Sequence, residues 1–359
     1  LETGHENIRR LPAEWEPHAG IQLTWPHADS DWADSLDEVE PVFARLAATI
    51  SQYEPVLIVA RDPEHIESFS GLLVEAGIRS DRLWFALADS NDTWARDYGP
   101  ITVYHQGRPH LLDFTFNGWG GKYPADRDDA ITAALAAQGV FGTSPVEDVP
   151  LVLEGGSIES DGQDTLLVTR SCLRHAGRNP ELDDATIEAA LRQHLGARRI
   201  LWLEHGHLEG DDTDGHIDTL ARFCAPDTIA YQHCDDPDDP HYAELAAMER
   251  QLEVLHQASG EPYRLIPLPW PRPLEHAGRR LPATYANFVL LNGAVLVPAH
   301  DDPADAVARE RLAEAFPGRD VLLLDARAVL RQGGSLHCLT MHYPRGALGI
   351  PEEDEAANA

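Results

Sequence analysis

The 359-residue chain is short of positive charge: 28 Lys and Arg stand against 60 Asp and Glu, and Lys122 is the only lysine. A formal charge of −32 excludes the usual nucleic-acid ligand, whose phosphates require positive neutralisation, and would repel an anionic membrane surface. Long apolar runs are missing too. No stretch approaches the roughly 20 apolar residues that span a bilayer, and the segment LETGHENIRRLPAEW has neither a basic leader nor an apolar core. A cytoplasmic protein is therefore expected. Only four cysteines occur, at 172, 224, 234 and 338, without CxxC spacing and too sparse for a disulfide scaffold. No HExxH is present, and no GxGxxG opens the first predicted unit.

What remains is an ordinary globular composition, 43% hydrophobic and 7% aromatic, long enough for two domains or for one domain built by repetition. The excess acid mainly serves solubility, while a cleft in such a protein concentrates cations. Repetition is visible along the chain. IQLTW (21–25) reads as a strand, Asp34 to about Ser51 as a helix with Leu36, Val39, Phe43, Leu46 and Ile50 on one face, and VLIVA as the next strand. A second unit has strands at 83–88, 101–104 and 110–116 and a helix at 127–138. A third begins with LVLEGG, turns at Asp161–Gly162, and runs through a helix at 181–194 to RILWL. A fourth uses 217–223, 228–232, a helix at 240–257 and YRLIPLP. The last uses NFVLLNGAVLVPAH, with a turn at Asn292–Gly293, a helix at 303–315 and VLLLD. Five strand-strand-helix-strand units of this kind predict radial closure, with polar residues at the unit ends converging on an axis.

Those ends carry the chemistry. NDTWARDYGP (91–100) packs carboxylates, an arginine and aromatics into ten positions, more recognition capacity than a turn requires, although a plain surface loop is the alternative. Glu154 follows an apolar strand and precedes two glycines that permit close backbone approach, unless it simply faces solvent. His205, His207, His216 and Asp218 offer a metal-ligand inventory. In the rival reading, His216 and Asp218 stand at i,i+2 at the start of the strand IDTLARF and face one cavity together. Cys338 alone among the cysteines lies beyond a strand in a Gly-rich polar segment, QGGSLHCLTM, where a reactive thiol belongs; a thiol packed between Leu336 and Leu339 is the alternative. His337 is adjacent, but neighbouring side chains diverge on a strand, so it is not expected to partner Cys338.

One chemistry uses these residues together. A guanidinium is planar, charged and rich in donors, so Asp97 and Asp218 can clamp it. Cys338 attacks its carbon to form a thiouronium intermediate, and His216 acts as acid and then as base. Glu154 is expected to hold His216 in its charged form, and that charge to favour the Cys338 thiolate. A metal-dependent amidohydrolase built on the histidine cluster and a non-catalytic polyamine-binding protein remain the alternatives.

With those five residues assembled, the chain resembles the agmatine deiminases of the guanidine-modifying superfamily. The resemblance rests on WPHADSDW, NDTWARDYGPI, FNGWGGKY, LEGGSIESDG, DGHIDTLARF, NGAVLVPAH and GGSLHCLT, in that order between about residues 10 and 350. It implies an α/β five-bladed propeller with pseudo-fivefold symmetry (the pentein fold), as one catalytic domain over residues 1–359. It also implies Cys338 as nucleophile, His216 as acid and base, Asp97 and Asp218 as the guanidinium pair, Glu154 beside the histidine, and Trp94 as an aromatic close to the substrate. The activity implied is hydrolysis of agmatine to N-carbamoylputrescine and ammonia in polyamine synthesis, by a homo-oligomer, without cofactor or metal. The chain departs from the family at Asp212, where Asp211-Asp212-Thr213 replaces the frequent Asp-Glu-Thr, and at Met341-His342, which replaces paired glutamines. Asp212 is the candidate for the remote amine. The departures leave room for another guanidino compound or for peptidyl arginine.

Overall fold

A computed structural model describes residues 9–350; residues 1–8 and 351–359 of the expected domain lie outside the described residues. Five mixed sheets organise the chain, and each contains an antiparallel pair followed, across a helix, by a parallel strand. The first joins Met341–Pro344, His18–Thr24, Val56–Ala60 and Leu83–Leu87, with antiparallel pairing only between the first two. The second joins Arg9–Arg10, Ile101–His105, Arg108–Thr115 and Val146–Val152. Ile158–Ser160, Thr165–Thr169 and Arg199–Leu203 form the third, and Ala221–Ala225, Thr228–Gln232 and Arg264–Leu268 the fourth. Val289–Leu291, Ala294–Ala299 and Asp320–Asp325 form the fifth. A ribbon of Glu275–His276 with Arg279–Arg280 stands apart from them.

The predicted helices appear as Leu36–Tyr53, Ile131–Ala137, Asp184–Leu195, Tyr242–Glu253 and Ala304–Ala315. Their apolar stripes set them on the sheets: Val39, Phe43, Leu46 and Ile50 are fully buried. Three features escape the sequence pattern. A helix, Pro63–Ala76, starts with Pro at its first turn and Asp62 capping the amide of His65, and ends at Gly77 with φ +84°. The LVLEGG strand belongs to the second sheet rather than opening the third, because the helix before it returns the chain parallel to Arg108–Thr115. Finally, the strand expected from His216 onward starts only at Ala221, since Ile217–Thr219 is a 3-10 turn. Met341–Pro344 pairs with His18–Thr24, so the end of the described chain completes the sheet begun near its start.

Candidate active site

The chain enters the antiparallel pair of each sheet through a short polar turn, and the five turns meet. Asp97 lies in the single helical turn Ala95–Tyr98 ahead of Ile101–His105. Glu154 leads into the 3-10 turn Gly155–Ser157 ahead of Ile158–Ser160. His216 and Asp218 precede Ala221–Ala225, Asn287 precedes Val289–Leu291, and Cys338 precedes Met341–Pro344. The inner ends of the five sheets therefore supply one residue set.

Their contacts are close. Oδ1 of Asp97 lies 3.5 Å from Nδ1 of His216 and accepts the amide of Gly156 at 3.0 Å. Sγ of Cys338 is 3.8 Å from Oδ2 of Asp218 and 3.4 Å from Oδ1 of Asn287, which also accepts the amides of His337 and Cys338. Gly156 makes this approach possible: a Cβ there would stand 2.6 Å from Nδ1 of His216 and 2.8 Å from Oδ1 of Asp97. Trp119 donates from Nε1 to Oδ2 of Asp97 at 2.9 Å. A cleft of about 290 Å³ opens above, lined by Trp94, Asp97, Trp119, Asp212 and Cys338 among others. Trp94 forms one wall against Gly334, where any Cβ would enter its ring.

Burial without partners marks the floor of the site. Both ring nitrogens of His216 and Oδ1 of Asp218 are buried with no hydrogen-bond partner, although orphaned buried polar atoms cost about 1–3 kcal/mol each. Burial, with Asp218 and Glu154 adding like charge, raises the Asp97 carboxyl well above its ordinary range. Burial likewise raises the Cys338 thiol well above its ordinary value, and the carboxylates of Asp218 and Asp97 add to it. Burial pushes His216 down to about 3, against the pull of Asp218. Burial also works against the Asp218 carboxylate, but the hydrogen bond and charge of His337, joined by His216 and Arg222, hold it below its ordinary range. The site thus pairs a neutral imidazole with a thiol.

That result corrects two expectations. Glu154 does not hold His216: its carboxylate accepts Nε of Arg178 at 2.8 and 3.0 Å. Arg178 also donates to Asp214 Oδ2 at 2.7 Å and to the carbonyl of Thr213 at 2.9 Å. Glu154 therefore anchors the segment before His216, and no hydrogen-bond partner among the described residues holds the histidine charged. Nor do His216 and Asp218 share a strand face; the 3-10 turn brings them together instead.

The metal-ligand inventory does not assemble. His205 is half-exposed and pairs with Glu244, and His207 is exposed, whereas His216 and Asp218 are buried. Two other groups among the described residues bring ligand atoms within 4.8 Å, Glu14-His337-His342 and Glu154-Cys172-His216. Arginines already balance each carboxylate: Arg96 and Arg222 reach Glu14 at 2.8 and 2.6 Å, and Arg178 holds Glu154. A cation would meet those guanidinium groups.

Asp212 lies on the rim of the cleft, where Tyr123 donates to its Oδ2 at 2.6 Å and Lys122 to its carbonyl at 2.6 Å. The single lysine thus ties the 118–123 segment to the 211–214 segment, with a further bond to Asp214 at 2.7 Å. Met341 and His342 face away from the cleft, into a second cavity that also includes Glu14 and Arg96, so this departure does not touch the ligand. Sequence reasoning missed Asn287, Arg178 and His337 in the site. Asn287 does stand at the start of NFVLLNGAVLVPAH, the unit-end position that identified the others.

A family model described as Porphyromonas-type peptidyl-arginine deiminase matches residues 10–344. An agmatine deiminase of Stutzerimonas stutzeri (strain A1501) is 36% identical over 358 residues, spanning 93% of this chain and 95% of the relative. Among solved structures, a cysteine-to-serine variant of the C. jejuni agmatine deiminase with substrate bound superposes with a TM-score of 0.88 at 36% identity, covering 94% of this chain and 97% of the other. A Porphyromonas gingivalis protein provisionally named an arginine deiminase gives 0.89 at 48% identity, covering 95% and 99%.

Proposed function

The chain belongs to the Porphyromonas-type peptidyl-arginine deiminase family, and from that premise we propose that it is an agmatine deiminase, hydrolysing agmatine to N-carbamoylputrescine and ammonia through a covalent intermediate on Cys338. The observation that carries this reading is the set of unpartnered atoms around the thiol, both nitrogens of His216 and Oδ1 of Asp218. A guanidinium brings planar donors to the carboxylates and a positive charge to the thiol.

The steps follow from the charges. Agmatine enters with its guanidinium between Asp97 and Asp218, and its charge reverses the cause that keeps Asp97 protonated and the thiol neutral. The Cys338 proton passes to His216 as Sγ attacks the guanidinium carbon. His216 then protonates the departing nitrogen, which leaves as ammonia, and a positively charged thiouronium remains on sulfur. Water attacks the same carbon while His216 accepts its proton. Collapse of that adduct expels the sulfur, which regains a proton, and releases the ureido product. One proton of the original cation departs with ammonia as ammonium. Asp97 and Asp218 aim the carbon at sulfur throughout.

The remote amine of agmatine is assigned to Asp212, on a rim that Asp31 and Asp92 share with Arg279, Arg280 and Arg331. The small cleft supports a small guanidino substrate, and the separated histidines leave the metal-dependent reading without its ligand set. The five-sheet repeat supports a five-bladed α/β propeller with pseudo-fivefold symmetry, in which the pairing of Met341–Pro344 with His18–Thr24 closes the ring. A role in putrescine synthesis, a cytoplasmic location and homo-oligomeric assembly complete the proposal on family membership alone. No helix among the described residues is long and apolar enough to cross a membrane. Ammonia release from agmatine, arginine and peptidyl arginine, assayed side by side with and without chelator, tests the reading. Turnover of agmatine that survives chelation is expected, and a chain inactive on agmatine but active on peptidyl arginine would overturn it.

A further inference from the structure

His337 touches neither the cleft nor the thiol's own hydrogen bonds through its ring, yet it is buried one residue before the nucleophile. Its Nδ1 lies 2.7 Å from Oδ2 of Asp218. Its Nε2 lies 2.8 Å from Oε1 of Glu14 and 3.1 Å from Nη2 of Arg222. Glu14 is gripped in turn by Arg96 at 2.8 Å and Arg222 at 2.6 Å, and Arg222 also donates to Glu159 at 2.8 Å and to the carbonyl of Phe288 at 2.9 Å. The ring is therefore braced on the side away from the substrate by a buried, charge-balanced frame. On the substrate side it occupies one oxygen of Asp218 and leaves the other, Oδ1, without a partner.

We propose that His337 is a positioning residue, which fixes Asp218 through Oδ2 so that Oδ1 is presented to the substrate guanidinium, with Glu14 as its rear support. The inference rests on the deiminase reading for the identity of the cation and goes beyond it in assigning the Glu14-His337 pair. An aspartate carboxylate left alone in this pocket would turn toward its other neighbours and hold a proton. Asp218 is surrounded by His216, Asp97, Asp211, Glu159, Arg222 and the Cys338 thiol as well as by His337. Three of those neighbours are carboxyl groups that oppose its charge, and against them stands the short 2.7 Å hydrogen bond of His337, beside the longer 3.8 Å contact of the Cys338 thiol. Adjacent side chains diverge, so the same turn can place Sγ of Cys338 in the site and the His337 ring behind Asp218.

The test separates the two ring nitrogens. Asparagine at 337 can place an amide N–H near the Nδ1 position, while glutamine reaches toward the Nε2 position. In a Cys338→Ser background, agmatine binding is measured by calorimetry from about pH 3.5 to 8 for the parent and for added His337→Asn, His337→Gln and His337→Ala. The expected result is that His337→Gln and His337→Ala weaken binding by up to about 10-fold at the acid end of that range and move its acid limb up by about one unit, while His337→Asn stays within about 3-fold of the parent. An unmoved acid limb in all three variants overturns the proposal, whether affinity is kept or lost, because a packing role changes affinity without changing which pH protonates Asp218. Equal limb shifts in His337→Asn and His337→Gln also overturn it. Wild-type turnover is scored separately in the same buffers: absence of ammonia release overturns the deiminase reading, while the binding limb still decides the role of His337.

Discussion

Replacing Arg178 with methionine removes the one cation, among the described residues, that binds Glu154 to the segment before His216. Both side chains are fully buried, and the guanidinium makes two bonds to Glu154, one to Asp214 and one to the Thr213 carbonyl. Two unit charges about 4 Å apart at an effective dielectric of about 20 attract by about 4 kcal/mol, and removing one partner of a buried pair costs about 3–5 kcal/mol. Arg178→Met is therefore expected to lose about 3 kcal/mol or more of unfolding free energy at pH 7.5, measured by urea denaturation. Adding Glu154→Gln removes the stranded charge and should restore at least about 1.5 kcal/mol, the remainder being the lost anchor at Asp214 and Thr213. The pH dependence has a definite sign. Burial already raises the Glu154 carboxyl above its ordinary 4.5, and without Arg178 it rises further. The folded state of the single variant then holds a proton that the unfolded state releases, so its deficit grows as pH rises above about 4.5 and shrinks as pH falls toward that value. A loss under about 1 kcal/mol, or a double variant no more stable than Arg178→Met, would refute the reasoning.

Other expectations are independent of that pair. Trp119→Phe loses the donor to Asp97, a charge-assisted bond once the carboxyl ionises, and should lower kcat/KM for agmatine by roughly 10- to 100-fold with little change in stability; unchanged kinetics would remove Trp119 from the clamp. Asp212→Ala should reduce the preference for agmatine over arginine by only a few-fold, because a rim charge is partly screened, and an unchanged ratio of kcat/KM values would show that Asp212 does not read the amine. Asp128 is raised to about 8, chiefly by burial, while accepting the amides of Asn91 and Asp92. Between about pH 4 and 8 the folded state binds the extra proton, so this group makes stability fall as pH rises. Asp128→Asn keeps a carbonyl acceptor and should raise the melting temperature at pH 8 but not at pH 4.

Much of this was legible from sequence for identifiable reasons. The helix stripe of Val39, Phe43, Leu46 and Ile50 and the glycine turns at 162 and 293 are local signals, and they gave both elements and order. Asp97, His216, Asp218 and Cys338 lie together because each ends a unit, and the repeat makes that position visible before any contact is known. The partners were not legible. Glu154 and Arg178 are 24 residues apart, with nothing local to say that the carboxylate turns to an arginine rather than to His216. His337 was set aside because adjacent side chains diverge, which is correct for Cys338 and is also why its ring reaches Asp218. The protonation states depend on burial, which the sequence does not quantify: where a charged histidine is expected beside a thiolate, burial favours a neutral imidazole beside a thiol.

The central claim is that Cys338 carries the reaction as a covalent thiouronium whose formation depends on the substrate's own charge. Rapid quenching of the enzyme with agmatine, followed by mass analysis of the peptide containing Cys338, tests it most directly. The account predicts a transient adduct on that residue with the mass of agmatine less ammonia, absent in Cys338→Ser, which should not turn over. Steady turnover with no adduct on Cys338, or Cys338→Ser hydrolysing agmatine at the wild-type rate, would contradict it.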